Sequence, residues 1–130
     1  MQSASGSGTL VPVPLTCLIV DDNSAFLQAA GRLLERQGLT VAGTATTGAE
    51  ALERARELRP DVVLLDIVLG NESGFDVARS LSADHGHGPV VILVSTHAES
   101  DFADLIHDAP AAGFVPKAEL SADAILRLAS

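Results

Sequence analysis

The sequence predicts an α/β domain, a doubly wound sheet of five parallel strands with five helices on its two faces. Five short apolar runs alternate along the chain with five segments whose apolar residues recur at helical spacing. The runs are apolar on both faces, which is typical of parallel strands covered by helices on each side. The chain has 130 residues, 47% of them hydrophobic, which suffices for one domain with a substantial core.

The first half of the chain supplies three strands and two helices. Strands are predicted over residues 15–20, 40–45 and 62–65. Asn23 or Ser24 can cap the first helix, and Gly38 ends it. Thr47 and Glu50 have the spacing of a capping box at the start of the second helix, which the Arg-Pro-Asp run at 59–61 terminates.

The second half repeats the alternation with weaker signals. Asp66 terminates the third strand, residues 67–74 form a loop, and a helix of weaker periodicity covers about 75–83. After a loop at 85–89, a buried strand at 90–94 ends at Ser95. Residues 99–108 read as an acidic helix, and 113–115 as a short strand ending near Lys117. Ser121 caps the last helix.

Composition excludes several function classes. The net charge of −9 and the absence of Trp and Tyr argue against direct binding of nucleic acid. No apolar run reaches the length of a membrane span, and the N-terminus does not resemble a secretory signal. Cys17 is the single cysteine, so an internal disulfide is excluded, which fits the cytoplasm. Residues 1–14 are interpreted as a flexible Gly/Ser/Pro arm, and residues 15–130 as the folded domain.

Polar residues follow four of the predicted strands. In an open parallel sheet, ligands bind beyond the carboxyl ends of the strands. The residues at those ends are Asp21 and Asp22, then Asp66, then Ser95, then Lys117, and we expect them to converge. Lys117 is the only lysine, against seven arginines, which favours a role that arginine cannot fill.

Three carboxylates at one site repel one another, and a hard divalent cation relieves the repulsion. Mg²⁺ suits oxygen ligands with several retained waters. Asp22 and Asp66 are the candidate direct ligands, Asp21 acts directly or through water, and the backbone carbonyl of Val68 could complete the shell. A carboxylate can also act as a nucleophile and form an aspartyl phosphate. The ammonium of Lys117 and the hydroxyl of Ser95 could then stabilise the phosphoryl oxygens.

The ordered set of motifs resembles the receiver domains of two-component response regulators over about residues 15–129. The acidic pair ends the first strand, and Asp66 follows four apolar residues and precedes Gly74 by eight, as the family's phosphoacceptor does. Ser95 and Phe114 match the family's switch residues, and Gly-Phe-Val-Pro-Lys matches the segment that ends at its lysine.

The resemblance implies a flavodoxin-like, CheY-like sheet of order 2-1-3-4-5. It implies a bacterial phosphoprotein that binds Mg²⁺ and accepts a phosphoryl group on Asp66 from a sensor histidine kinase. Ser95 would then move towards the phosphoryl group, Phe114 would turn inward, and a surface for an unknown downstream protein would change. A phosphorylation-dependent dimer is one form that this change could take.

Some positions depart from the family pattern. Gly70 stands where many members have proline, and Ala118 follows the lysine where many have a cis-proline. Val68 and His97 occupy positions that tune phosphoryl lifetime in the family, and apolar Val68 favours slow self-hydrolysis.

Several alternatives stay open beside this interpretation. The chain is expected to be a stand-alone receiver that is not an enzyme, or else the receiver of a longer DNA-binding transcription factor. A magnesium-dependent phosphatase of the haloacid-dehalogenase type would need a second aspartate two residues after its nucleophile, where Asp66 has Val68. A flavin-binding protein would need a phosphate-cradling loop after the first strand. His85 and His87 are interpreted as loop residues rather than metal ligands, and 99–108 as a solvated acidic face or a partner surface.

Overall fold

The computed structural model describes residues 15–83 and 88–129 of the chain. The predicted N-terminal arm at 1–14 and the two histidines of the 85–89 loop lie outside the described residues. Within them, no helix combines the length and the apolar character needed to cross a membrane.

Five parallel strands form one sheet at the centre of the domain. They are β1 (Thr16–Val20), β2 (Thr40–Ala45), β3 (Val62–Asp66), β4 (Val90–Ser95) and β5 (Gly113–Pro116). Their order in the sheet is β2-β1-β3-β4-β5, which confirms the predicted 2-1-3-4-5 arrangement. Every residue of β3 is buried, as expected of a central strand with neighbours on both sides. The order reverses between β1 and β3, so a cleft for ligands is expected at the carboxyl ends of these two strands.

Five α-helices cover the two faces of the sheet. They are α1 (Ser24–Arg36), α2 (Gly48–Leu58), α3 (Gly74–Ala83), α4 (Ala103–Asp108) and α5 (Ala122–Ala129). Helices α1 and α5 pack on one face, where Leu34 and Ile125 are fully buried. Helices α2, α3 and α4 cover the other face, where Ala51 and Ala78 are fully buried. The doubly wound architecture predicted from the alternation of elements is therefore confirmed.

The helix starts nearest the site are capped as the sequence predicts. The side chain of Asn23 accepts a hydrogen bond from the N–H of Phe26 at 3.1 Å, and Thr47 Oγ1 accepts one from the N–H of Glu50 at 3.1 Å. The return bond of the capping box differs, because Glu50 accepts from the N–H of Thr46 at 2.7 Å and not from that of Thr47. These caps fix where each chain segment leaves the sheet.

The segment after β3 is more ordered than the predicted loop. Residues Val68–Leu69 and Glu72–Ser73 form a short antiparallel ladder, and Gly70 turns between them with φ of 56°. A Cβ at Gly74 would lie 2.8 Å from the Cα of Ile67 and nearer still to the carbonyl oxygen of Asp66. Only glycine lets α3 start this close to the end of β3.

The predicted acidic helix at 99–108 is divided in two. A 3₁₀ turn covers Glu99–Phe102, and α4 follows with only six residues. A second 3₁₀ turn, Lys117–Glu119, follows β5 directly. Short 3₁₀ pieces are common connectors. The first of these two follows the strand that ends at Ser95, and the second begins at Lys117 itself.

Candidate functional site

Four predicted residues meet at the carboxyl ends of the strands. Carboxylate oxygens of Asp21, Asp22 and Asp66 lie within 4.8 Å of one another. Lys117 reaches the same place from the end of β5, with Nζ 2.5 Å from Asp21 Oδ2 and 3.3 Å from Asp66 Oδ2. The structure therefore brings together the acidic pair, Asp66 and the single lysine, as the sequence predicts.

Asp21 is the most enclosed member of this group, with no exposed surface. Its Oδ1 accepts a hydrogen bond from the N–H of Asn23 at 2.9 Å. Its Oδ2 makes no hydrogen bond of favourable angle to the described residues, although the ammonium of Lys117 lies 2.5 Å away. This buried oxygen is therefore stabilised by the charge of the ammonium alone. It remains able to coordinate a cation or to accept a hydrogen bond from a cation's water.

Asp66 ends β3 and is also buried. Its Oδ1 accepts a hydrogen bond from the N–H of Val68 at 3.2 Å. Burial raises the pKa of Asp66, and the charge of Asp21 raises it further, against the opposing effects of the Val68 N–H and Lys117. The free site therefore resists the accumulation of negative charge, which a bound cation would relieve.

Lys117 keeps its proton in this environment. Burial alone would lower the pKa of its ammonium, but the close contact with the Asp21 carboxylate and the charges of Asp66 and Asp21 outweigh burial and raise the pKa. Its side chain is 14% exposed. The site therefore holds a fixed positive charge between two carboxylates, where a compact ammonium fits better than a broad guanidinium.

The residues present suit a hard divalent cation. Three carboxylates and one ammonium leave a formal charge of −2, and all the ligand atoms identified are oxygens. Asp22 is exposed, so a cation there could keep several waters, as Mg²⁺ prefers. Val68 contacts Asp66 through its N–H. The role of the Val68 carbonyl stays a prediction.

Ser95 is placed at the site but its hydroxyl is engaged elsewhere. The residue ends β4 and is 1% exposed. Its Oγ accepts a hydrogen bond from the N–H of His97 at 2.9 Å and lies 3.3 Å from His97 Nδ1. The hydrogen bonds of the described residues do not join this hydroxyl to Asp66 or Lys117. Phe114, the second predicted switch residue, is half-buried and packs on the face covered by α2, α3 and α4.

Three aromatic contacts near the site were not predicted. The helical spacing of Phe26 predicts only a place on the apolar face of α1, yet Lys117 Nζ lies 4.3 Å from its ring centroid. The exposed ring of His97 packs edge-on against Phe102 at 5.6 Å, and Phe102 lies 6.2 Å from Phe75. Periodicity cannot signal such contacts, because each joins side chains from different elements.

Comparison with known proteins identifies the class of protein that this fold and site define. The profile of the response regulator receiver domain matches residues 17–129. The chain belongs to this family.

Individual relatives agree with this assignment. Response regulator GacA of Pseudomonas viridiflava is 38% identical over 101 residues, which cover 77% of this chain and 47% of GacA. The signal receiver domain of NarL from Mycobacterium tuberculosis superposes with a TM-score of 0.80 at 30% identity, covering 91% of this chain and 98% of that one.

A third comparison concerns a response regulator protein from Burkholderia pseudomallei, solved with a phosphorylated aspartic acid, a calcium ion and citrate. It has a TM-score of 0.75 at 25% identity, covering 89% of this chain and 66% of that one. The chain spans about half or less of the length of the curated relatives it matches, 47% in the case of GacA and 37% in that of a regulatory protein TcrX.

Proposed function

We propose that Asp66 accepts a phosphoryl group from a sensor histidine kinase and that the chain thereby acts as a cytoplasmic signalling switch. The observation that carries this proposal is the convergence of three carboxylates on the single lysine at the ends of β1, β3 and β5. Phosphoryl transfer requires positioning and charge neutralisation more than covalent chemistry from the protein, and this arrangement supplies both. The phosphorylated aspartic acid of the Burkholderia relative supports the same chemistry.

In the proposed step, a carboxylate oxygen of Asp66 attacks the phosphorus of a phosphohistidine on the kinase. The new O–P bond forms as the N–P bond breaks, and the imidazole leaves with the electron pair of that bond and takes up a proton. Lys117 pairs with the charge on the phosphoryl oxygens, and Asp21 keeps the ammonium at the site through the contact at 2.5 Å. The product is an acyl phosphate on Asp66.

Asp21, Asp22 and Asp66 would hold Mg²⁺, with the Val68 carbonyl as the predicted further ligand. When bound, the cation supplies neutralisation of the carboxylates and of the incoming phosphoryl charge. The buried Oδ2 of Asp21, which lacks a well-angled hydrogen bond, supports this assignment from the side of the protein.

The signal is proposed to leave the site through Ser95 and Phe114. A phosphoryl group on Asp66 offers new acceptor oxygens to the Ser95 hydroxyl, which now contacts His97. Movement of Ser95 would open space for Phe114, and the surface of α4, β5 and α5 would change for a downstream protein or a second copy of the chain. The proposed role is signalling without an enzymatic activity of its own beyond phosphoryl uptake and loss.

The test is intact mass after incubation with Mg²⁺ and acetyl phosphate. Wild type is expected to gain one phosphoryl group in a magnesium-dependent manner, and Asp66→Asn none. Asp123→Asn is a matched control, because this aspartate is exposed on α5, where it pairs with Arg127. Full uptake by Asp66→Asn would overturn the assignment of the phosphoacceptor.

A second candidate is the receiver of a longer, DNA-binding transcription factor. The 47% coverage of GacA favours it, because such relatives contain as much chain again beyond the matched part. The reading frame around the coding sequence separates the two candidates. A stop codon directly after Ser130 supports the stand-alone receiver, and continuation into a basic helical domain supports the regulator.

A further inference from the structure

The ammonium of Lys117 has a third neighbour besides its two carboxylates. Its Nζ lies 4.3 Å from the ring centroid of Phe26, while Asp21 Oδ2 and Asp66 Oδ2 are 2.5 and 3.3 Å away. A cation above an aromatic face at this distance is attracted by the negative face of the ring. Phe26 is half-buried in the first turn of α1 and also packs against the core beneath α1 and α5.

The backbone of Phe26 is linked through Asn23 to Asp21, the carboxylate that also contacts the lysine. Asp21 Oδ1 accepts from the N–H of Asn23 at 2.9 Å, and the Asn23 side chain accepts from the N–H of Phe26 at 3.1 Å. From Phe26 the path continues to Lys117 and returns to Asp21 through its other oxygen. The contacts form a closed circuit that begins and ends on one buried carboxylate.

We propose that Phe26 is a positioning residue that holds the ammonium of Lys117 at the acidic site through a cation–π contact. The assignment of a phosphoryl-binding role to Lys117 rests on the proposed function. During uptake at Asp66, the lysine has to exchange a carboxylate oxygen for a phosphoryl oxygen. The ring attracts the ammonium without competing for either oxygen, so it keeps Nζ in place while the partner changes.

The contact can be observed directly because Lys117 is the only lysine in the chain. Labelling with ¹⁵N,¹³C-lysine yields one side-chain spin system, which needs no further assignment. In wild type, the Hε protons of Lys117 should resonate upfield of free lysine because of the ring current of Phe26. Phe26→Leu should remove the upfield shift, and Phe26→Tyr should retain it. An unchanged Lys117 resonance in Phe26→Leu would overturn the proposal.

A graded series separates attraction from packing. Site-specific replacement of Phe26 by mono-, di- and trifluorophenylalanine weakens the negative face of the ring while nearly preserving its shape. The logarithm of the rate of phosphoryl uptake from acetyl phosphate should fall stepwise with fluorination. Phe26→Leu should lower the rate by about fivefold, because a cation–π contact of about 1 kcal/mol corresponds to that ratio when each tenfold is about 1.4 kcal/mol. Equal rates across the series would reduce Phe26 to a packing residue and refute the proposal.

Phe75 provides the control, because it is buried at the start of α3 and pairs with Phe102 instead of a cation. The same fluorinated residues at Phe75 should leave both the Lys117 resonance and the rate unchanged. The two readouts also distinguish two kinds of failure. An upfield Lys117 resonance that depends on Phe26, in a protein that takes up no phosphoryl group, supports the contact and refutes the proposed function. Normal phosphoryl uptake with a Lys117 resonance that does not depend on Phe26 supports the proposed function and refutes the contact.

Discussion

The two sides of the candidate site are built differently. On the lysine side, Lys117 already contacts Asp21 and Asp66, and its own side chain is largely enclosed. On the serine side, the hydroxyl of Ser95 is buried, but its contacts are to the backbone N–H and the ring of His97, an exposed residue. The lysine side is therefore already assembled in the unmodified protein. On the serine side, the Ser95 hydroxyl would have to give up its contact with His97 before it could contact a phosphoryl group.

This difference separates two tasks that a phosphorylation switch must perform. An interaction that exists in both states lowers the energy of each and selects neither. Under the proposed function, Lys117 would therefore serve the chemistry at Asp66, whereas Ser95 would supply the contact that differs between the two states. The supporting structure matches this division, because β1 and β3 are buried beside the lysine, while the segment after Ser95 is an exposed 3₁₀ turn and a helix of six residues.

Lys117→Met is expected to have the largest effect. It removes a preorganised charge, so phosphoryl uptake should fall by about 100-fold or more. It also leaves Asp21 buried without a counter-ion, which should lower the free energy of unfolding at pH 7 by about 3 kcal/mol. Intact mass and urea unfolding measure the two effects. Arg127→Met breaks an exposed pair with Asp123. It should leave phosphoryl uptake unchanged and alter the free energy of unfolding by less than about 0.5 kcal/mol. Normal phosphoryl uptake by Lys117→Met would show that the lysine side of the site does not serve the chemistry at Asp66.

Magnesium should stabilise the acidic site next most strongly. At about 100 times its dissociation constant, a ligand that binds only the folded protein adds about 2.7 kcal/mol to the free energy of unfolding. Asp22→Asn should lose most of this gain. Without Mg²⁺ the same substitution should lower the free energy of unfolding by less than about 0.5 kcal/mol, because Asp22 is exposed. Thermal unfolding with EDTA or Mg²⁺ measures both. Equal stabilisation of Asp22→Asn and wild type would place the cation elsewhere.

Asp66→Asn should stabilise the metal-free protein. Since the pKa of Asp66 is raised in the folded state, the stability that its protonation confers is complete below the unfolded-state pKa of about 3.9. That stability is lost as the pH rises through the folded pKa, so ionised Asp66 destabilises the protein at neutral pH. In EDTA at pH 7, Asp66→Asn should unfold with a free energy about 1 kcal/mol higher than wild type, and the difference should shrink on acidification.

Asp104→Asn is the matched control for this comparison. Asp104 is exposed on α4, and its removal should leave the urea midpoint within error of wild type at both pH values. A wild type more stable than Asp66→Asn at pH 7 would mean that the attraction of Lys117 outweighs burial and the charge of Asp21.

The sequence predicts the sheet and the lysine side of the site well. Buried apolar runs that each end in a polar residue define both the strands and the edge at which Asp21, Asp66 and Lys117 meet. The strand-end rule needs only the positions of the elements, so it succeeds without any knowledge of side-chain conformation.

Features that depend on side-chain geometry could not be predicted. The ladder between Val68–Leu69 and Glu72–Ser73 is too short to show alternation. The direction of the Ser95 hydroxyl depends on a rotamer and on a partner two residues away, which residue type alone does not determine. The ring of Phe26 reaches Lys117 across 91 residues of chain, although its helical spacing assigns it to the core.

The smallest expected effect tests the serine side. His97→Ala keeps the backbone N–H that Ser95 Oγ accepts from, but it removes the ring nitrogen at 3.3 Å and the contact with Phe102. These contacts hold the hydroxyl in the unphosphorylated arrangement, so their loss should cost that state about 0.5–1 kcal/mol. Affinity for the phosphate analogue beryllofluoride, in the presence of Mg²⁺, should then rise by about two- to fivefold. In a Ser95→Ala background the same substitution should have no effect, because the hydroxyl it releases is absent. An equal gain in both backgrounds would show that His97 acts on the site independently of Ser95, and the difference between the two sides would no longer depend on that contact.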